Sequence, residues 1–447
     1  MRIIVIGAGP CGLGAAKRLV ELGHEDWLLF EKESSAGGLS ASRVDERGFT
    51  WDIGGHVVFS HYEDFDRMLE ETCGGEWVFH RRRSFVKIGS ARIPYPFQNN
   101  LHRLPEDLRR EALEGLKSAG EADPGLPFDQ WLERAFGPGI TRIFMRPYNR
   151  KVWASDLSSM SSNWIAERVS LVGYEEARKR ISRNRDDFDW GPNSAFRHPR
   201  RGGTGEIFRR LAAALPPGKV HFGEEIVRID FENKLLRMGG GVEVRYDALI
   251  NSIPLDRLVA CASGVPDAVR EGAAELRHSG THVVGCGFRA PTASDWSWMY
   301  FPEPDVPFHR VTNFGHYSSF NVPGGRADLF SALMCETSFS EEKPSSLADV
   351  AEKTRAGLAA AGLVDPAASM AGEFAISVPY AYPVPTPGRD SALRTIQTYL
   401  MDRGVYSRGR FGAWLYERGN MDHSYKQGRD VADRILYGNK EMAWKLS

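Results

Sequence analysis

Apolar and polar positions follow two regimes along the chain. Residues 2–7, RIIVIG, form a short apolar run, as expected of a strand buried on both faces of a parallel sheet. In residues 12–22, GLGAAKRLVEL, apolar Leu13, Ala16, Leu19 and Val20 recur at helical spacing and predict a helix with one buried face. Residues 27–30 read as a second strand ending at Glu31, which completes a βαβ unit of about 30 residues. Residues 101–140 mix charged and apolar positions at helical spacing, and 141–181 continue that character with a local break expected at Pro147. Residues 184–205 are rich in Arg, Asp and Gly and read as a boundary. The pattern then changes to THVVGCGF (281–288), SWMYFPE (297–303), HRVTNF (309–314) and ADLFSALMCET (327–337), runs separated by Pro and Gly as in an antiparallel sheet. Residues 407–438 return to a Gly-rich turn and a helix with apolar Val431, Ile435 and Leu436. This order predicts an α/β domain interrupted by insertions.

Composition narrows the classes. A chain of 447 residues with 42% hydrophobic content can bury a large core and accommodate two to three domains. A formal net charge of −1 gives no global attraction to nucleic acid or anionic membrane, so any anion site must be local. No segment approaches the roughly 18 apolar residues of a membrane span, and the first apolar run is too short for a signal peptide. The five Cys are widely spaced with no C-x-x-C pair, which suggests neither a disulfide framework nor a zinc site. A soluble cytoplasmic protein with reduced thiols, and with no nucleic-acid or membrane partner, is expected.

The N-terminal motif carries the first chemistry. Gly7-Ala8-Gly9-Pro10-Cys11-Gly12 falls between the first strand and the first helix. The first Gly permits the tight turn, the second admits a pyrophosphate to the backbone, and the third lets helix and strand pack closely. The helix N-terminus offers unpaired N–H groups to phosphate. Glu31, at the end of the second strand, is placed to accept from ribose hydroxyls. A second Gly pair, Gly37-Gly38, followed by Leu39 and Ser40, resembles the segment that leads the chain past the flavin in glutathione-reductase-like and amine-oxidase-like flavoproteins. FAD is therefore expected rather than NAD. A third turn, Gly54-Gly55-His56, is placed to bring backbone against the isoalloxazine ring.

From His56 onward the sequence resembles the UDP-galactopyranose mutase family, in its eukaryotic-type branch. The segments are GGHVVFSHY (54–62), IPYPFQNNLHRLP (93–105), FMRPYNRKVWA (144–154), WGPNSAFRHPRRGGTGEI (190–207), YPVPT (382–386) and SRGRFGAWLYERGNMDHS (407–424). They occur in family order over nearly the whole chain. The resemblance implies a discontinuous Rossmann-like FAD domain (1–78, 203–265, 405–447), an inserted helical substrate domain (100–185) and an antiparallel β-sheet domain (79–99, 186–202, 266–404). It implies interconversion of UDP-galactopyranose and UDP-galactofuranose through an adduct between flavin N5 and the sugar, with no net redox change. FAD would act reduced, with NADPH or NADH as reductant.

The resemblance also assigns residues. Arg168 and Arg310 would bind the diphosphate, with Tyr300, Tyr317, Tyr382 and Tyr416 nearby. Tyr95, Phe97, Gln98, Phe144, Met145, Asn149 and Trp153 would hold the nucleotide, and Asn193 would lie near the phosphates. His56 and Arg82 would lie beside flavin and substrate. Cofactor contacts are implied at Pro10, Cys11, Lys32, Leu39, Ser40, Val227, Arg410, Asn420, Asp422 and His423, and His61 would brace the flavin loop. No metal is implied. Met421 stands where the eukaryotic-type proteins have Gln, and His316 replaces an uncharged polar residue. These departures leave open a mutase for another nucleotide sugar. An FAD oxidoreductase of the amine-oxidase type is a further alternative, and the oligomeric state is open.

Overall fold

A computed structural model describes residues 1–165 and 169–445. The first apolar run becomes the strand Ile3–Ile6, every residue of which is buried. It lies in the middle of a five-stranded parallel sheet ordered Val405–Ser407, Ala248–Asn251, Ile3–Ile6, Trp27–Glu31, Val220–Phe222. Sequence-distant segments thus meet in one sheet, as expected of an interrupted Rossmann-like domain. The helix Pro10–Glu21 packs against the sheet and against the long helix Met421–Tyr437, which itself touches the strand Ala248–Asn251. The two helix backbones touch because Gly428 has no side chain, since a Cβ there would come within 1.9 Å of the Cys11 carbonyl oxygen. A smaller four-stranded sheet, ordered Glu243–Arg245, Leu235–Met238, Ile226–Asp230, Ala262–Ser263, lies beside this domain.

The strand-like runs of the middle region form a seven-stranded sheet ordered Met370–Pro383, His278–Phe288, Ser331–Phe339, Arg310–Asn313, Trp298–Tyr300, Ser84–Ile88, Ala91–Pro94. The first five strands in that order are successively antiparallel, and Ser84–Ile88 forms an antiparallel hairpin with Ala91–Pro94, but Trp298–Tyr300 pairs with Ser84–Ile88 in parallel, so the sheet is mixed rather than purely antiparallel. Two helices absent from the sequence reading, Leu347–Ala360 and Arg389–Met401, accompany it. Residues 184–205 are more than a boundary. Within them the strand Ala195–Pro199 pairs antiparallel with Trp77–Arg81.

The helical region contains Glu106–Gly115, Phe128–Ile140, Arg146–Trp153 and Tyr174–Arg183. The break expected at Pro147 does not occur there. Pro147 sits in the first turn of Arg146–Trp153, where a missing N–H costs little, and a π-helical turn, Thr141–Met145, leads into it. The irregular residue is Gly137, whose φ of +68° lies inside Phe128–Ile140. One apolar cluster joins the helical region to the sheet and includes Phe97, Phe144 and Trp153, with Tyr95, Tyr300, Tyr382 and Tyr416 packed on its edge. No described helix is long and apolar enough to cross a membrane.

Candidate active site: a dinucleotide cradle facing a cationic cleft

The cradle follows from the glycines. A Cβ on Gly12 would fall 1.8 Å from the Gly7 carbonyl oxygen, so helix and turn fit only without one. A Cβ on Gly9 would meet nothing nearer than Gly38 Cα at 3.9 Å, which leaves that backbone open to a ligand. Gly9 caps the helix without any side-chain hydrogen bond, and Pro10 occupies its first turn, so the N-terminal dipole is available to an anion. Glu31 is buried and fixed by the loop itself. One carboxylate oxygen accepts the Ala8 N–H at 2.7 Å, and the other accepts the Glu33 N–H at 2.9 Å. Each oxygen keeps a lone pair for a further donor such as a ribose hydroxyl. Open backbone, uncapped helix and anchored acid together fit an adenine dinucleotide.

The remaining expected cofactor residues fall into distinct settings. Gly37 and Gly38 both have positive φ, and Gly38 backs onto Gly9. Ser40 is buried and Leu39 half-buried beside them. Cys11 is buried, and burial pushes its thiol up to about 12, so it is no nucleophile. Lys32 is exposed, its ammonium 3.9 Å from Glu33. Val227 also has an exposed side chain, but it sits where the ladder register shifts between Ile226 and Arg228. Asn420 is the extended residue preceding the helix Met421–Tyr437. One residue inside that helix, the buried Asp422 carboxylate is bonded to Nδ1 of His61 at 2.7 Å and Nδ1 of His423 at 3.0 Å. It also accepts the His61 N–H at 3.0 Å. Ligand atoms of this trio lie within 4.8 Å of one another, and the shared carboxylate accounts for their approach.

The Gly54-Gly55-His56 turn joins cradle to cleft. Gly55 donates its N–H to Glu336 at 3.0 Å, and a Cβ on Gly55 would lie 3.1 Å from the Arg310 guanidinium carbon. Arg310 in turn donates two parallel N–H bonds to Glu336, each 2.7 Å. Glu336 is only 2% exposed. Burial opposes the charge of both partners, yet each more than offsets that cost for the other. Arg310 is held well above its ordinary range and Glu336 below its own. His56 follows the turn. Burial lowers its pKa to about 4, so it is neutral at pH 7, and its Nδ1 has no hydrogen-bond partner among the described residues. Burial likewise raises the phenols of Tyr148, Tyr300, Tyr317 and Tyr382, with the Arg310 charge opposing it, so near neutral pH these hydroxyls stay protonated.

Arg82 presents the opposite electrostatics. It is 1% exposed, and among the described residues no carboxylate pairs with it. Its N–H groups donate to Asn193 Oδ1 at 2.5 Å and to the carbonyls of Phe188 and Trp190 at 2.8 and 2.6 Å. Its guanidinium also lies 5.2 Å from the centre of the Tyr95 ring. Burial among neutral acceptors lowers its pKa. Arg82 and Asn193, expected near flavin and phosphate, thus first of all hold the loop 188–193 in place.

The residues expected to hold the nucleotide split into a ring cluster and a buried foundation. Tyr95, Tyr148 and Tyr300 form one ring cluster, with Tyr300 5.3 Å from Tyr95 and 5.1 Å from Tyr148. Trp153 and Tyr416 pack at 4.8 Å, with Tyr382 beside both and Arg410 over the two tyrosines. Phe97, in contrast, is wholly buried against Phe144 at 4.9 Å, and Gln98 donates to the Ser170 carbonyl. Met145 is buried, and Asn149 donates to the Met145 carbonyl at 2.7 Å. Tyr317 is 1% exposed among Phe196, His198 and Phe314. Arg168 lies outside the described residues. The sequence reading missed Glu336, Tyr148 and Trp190. Glu336 is the single acid in the strand Ser331–Phe339, a signal that gains meaning only through its register opposite Arg310.

A Rossmann-like domain with an adenine-dinucleotide cradle, joined through the Gly54-Gly55 turn to an aromatic cluster around the Arg310–Glu336 pair, is a flavoenzyme architecture. Over residues 10–436 the chain matches the flavin containing amine oxidoreductases, and it belongs to that family. Within this class it is a member of the UDP-galactopyranose mutase family. It superposes on the crystal structure of reduced UDP-galactopyranose mutase with a TM-score of 0.95 and 42% identity, covering 99% of this chain and 95% of that one. Cyclohexylamine oxidase from Brevibacterium oxydans shares the fold, with a TM-score of 0.70 and 15% identity over 97% of this chain and 98% of the oxidase. The zeta-carotene desaturase of Capsicum annuum is 28% identical over 173 residues, 37% of this chain and 27% of the desaturase. The chain thus spans about a quarter of the length of that curated relative.

Proposed function

We propose that this protein interconverts UDP-galactopyranose and UDP-galactofuranose with no net redox change, as a mutase of the eukaryotic-type branch reduced by NADPH or NADH. The observation that carries the reading is the Arg310 environment. A partly exposed cation anchored on a buried acid and set among protonated tyrosines suits a diphosphate leaving group and has no use in oxidising an apolar amine or polyene. The 42% identity to a reduced UDP-galactopyranose mutase supports the same reading. Bound and reduced, the flavin supplies a nucleophilic nitrogen for the anomeric carbon.

The chain's own residues supply the rest. Glu336 takes two N–H groups of Arg310 and fixes its plane, which leaves the other N–H groups to donate to phosphate oxygens. Because Glu336 also neutralises that guanidinium, the charge of the diphosphate is met by further cations, among which Arg82 and Arg410 border the tyrosine clusters. Arg168 completes the clamp on the strength of the family resemblance. Tyr300, Tyr382 and Tyr416 donate hydroxyls to the same anion, while Tyr95 and Trp153 offer ring faces to the base. Neutral His56, with Nδ1 unpartnered among the described residues, can accept or return a proton beside the Gly54-Gly55 turn.

The deciding experiment incubates the reduced protein with UDP-galactofuranose and follows UDP-galactopyranose by chromatography, with reductant consumption measured in parallel. Product far in excess of reductant consumed is expected. No product, or reductant consumed mole for mole, would refute the mutase reading.

A further inference from the structure

The helix Arg146–Trp153 carries Asn149 and Trp153, two residues assigned above to the nucleotide, and Lys151 lies between them. Lys151 is 9% exposed, yet it forms no ion pair among the described residues. Its ammonium donates instead to the backbone carbonyls of Glu303 and Val306, both at 2.9 Å. Those carbonyls belong to the connection that leaves the strand Trp298–Tyr300 and returns at Arg310–Asn313. One side chain therefore fastens the helical region to a connection whose two ends hold Tyr300 and Arg310.

An ammonium buried against neutral acceptors is an expensive way to fill space that a Met or Leu would fill well. Its charged neighbours compensate it poorly. Burial pushes it down to about 7, Lys343 acts in the same direction, and Glu303 and Asp305 oppose them only in part. His309, at the end of the same connection, is buried and neutral near pH 7. What Lys151 provides and an apolar side chain would not is direction, two hydrogen bonds that set where the connection rests on the helix.

We propose that Lys151 is a positioning residue for substrate binding, fixing the Tyr300–Arg310 end of the cleft relative to the nucleotide-binding helix. The inference rests on the mutase reading above.

The test uses the FAD-loaded protein and Lys151→Met, which keeps the apolar stem and removes both donors. UDP affinity is expected to fall at least tenfold, and KM for UDP-galactose to rise by a similar factor, with kcat within threefold of wild type. The flavin absorbance spectrum should not change. Amide hydrogen exchange over residues 301–309 should accelerate at least tenfold. Wild-type UDP affinity in Lys151→Met overturns the inference, whether or not exchange accelerates, and so does weakened UDP binding with unchanged exchange. If Lys151→Met does not fold, Lys151→Gln decides. Its amide, one atom shorter, reaches one carbonyl and should weaken UDP three- to tenfold, and an unchanged affinity overturns the proposal. A wild-type protein that binds no UDP refutes the mutase reading itself, and the inference with it. A wild type that binds UDP beside a Lys151→Met protein that binds it equally refutes the inference alone.

Discussion

The cradle and the proposed substrate cleft would hold anionic ligands by different means. In the cradle the ligand-facing groups are backbone apart from the Glu31 carboxylate: the turn from Gly7 to Gly12, the end of the strand at Glu31 and the Gly37-Gly38 pair all fall within the first 38 residues. Side chains there matter mostly by being absent. In the proposed cleft the groups offered to a ligand are side chains drawn from separate strands and turns, held by other side chains or distant carbonyls. Arg310 depends on Glu336, and Arg82 on the loop 188–193. A site made of backbone should fail through steric intrusion, whereas a site made of paired charges should fail through loss of a partner.

The sharpest way to break that contrast is Gly12→Val. With backbone only 1.8 Å from the new Cβ, the turn cannot close. The protein should purify colourless or insoluble, read from flavin absorbance per mole of protein. Retention of stoichiometric FAD would show that the cradle is far more pliable than its geometry implies.

Glu336→Ala comes next. It leaves a guanidinium whose side chain is 23% exposed without its counter-ion, at a cost of about 3 kcal/mol in unfolding free energy, the low end for a buried pair because water reaches Arg310. The double replacement Arg310→Met with Glu336→Leu should recover most of that stability while UDP binding stays lost, which separates folding from function in the cleft. Denaturant titration and calorimetry measure the two. A Glu336→Ala protein of wild-type stability would mean that water satisfies Arg310 as well as Glu336 does.

Asp52 tests the border between the regions. Wholly buried, it bonds Ser42 Oγ at 2.5 Å and Thr204 Oγ1 at 3.0 Å, and Thr204 in turn donates to the Ser40 carbonyl. Burial raises its pKa from 3.8 to about 7. Between those values the folded protein binds a proton that the unfolded chain has released. The stability this group contributes is thus fully present below about pH 4 and is lost as pH rises through 7. Asp52→Asn, which mimics the protonated acid, should gain on wild type by about 2–3 kcal/mol between pH 5 and pH 8. A stability difference that is flat with pH would place the carboxyl in contact with water.

The smallest effect is expected from Arg310→Lys. Charge opposite Glu336 is kept but the planar fork is not, so UDP affinity should fall by about 1–2 kcal/mol with stability nearly unchanged. An affinity equal to wild type would reduce Arg310 to a point charge.

The sequence by itself determined the cradle. Gly7, Gly9, Gly12 and Glu31 act through turn conformation, a helix terminus and a strand end, all set by residues within one βαβ unit. The family resemblance extended that reading to Arg310 and the tyrosines as types of residue to look for. The tertiary structure alone decided their relations. Glu336 reads as an ordinary strand residue until the strand Ser331–Phe339 pairs with Arg310–Asn313 and sets the two opposite each other. The loop 188–193 reads as a polar boundary until Arg82 closes on it, and Phe97 reads as a base-stacking ring until Phe144 covers it. The reason is one of range. Backbone conformation and helix-end electrostatics are fixed by neighbours along the chain, whereas a buried charge or ring takes its role from whichever strand the fold lays beside it.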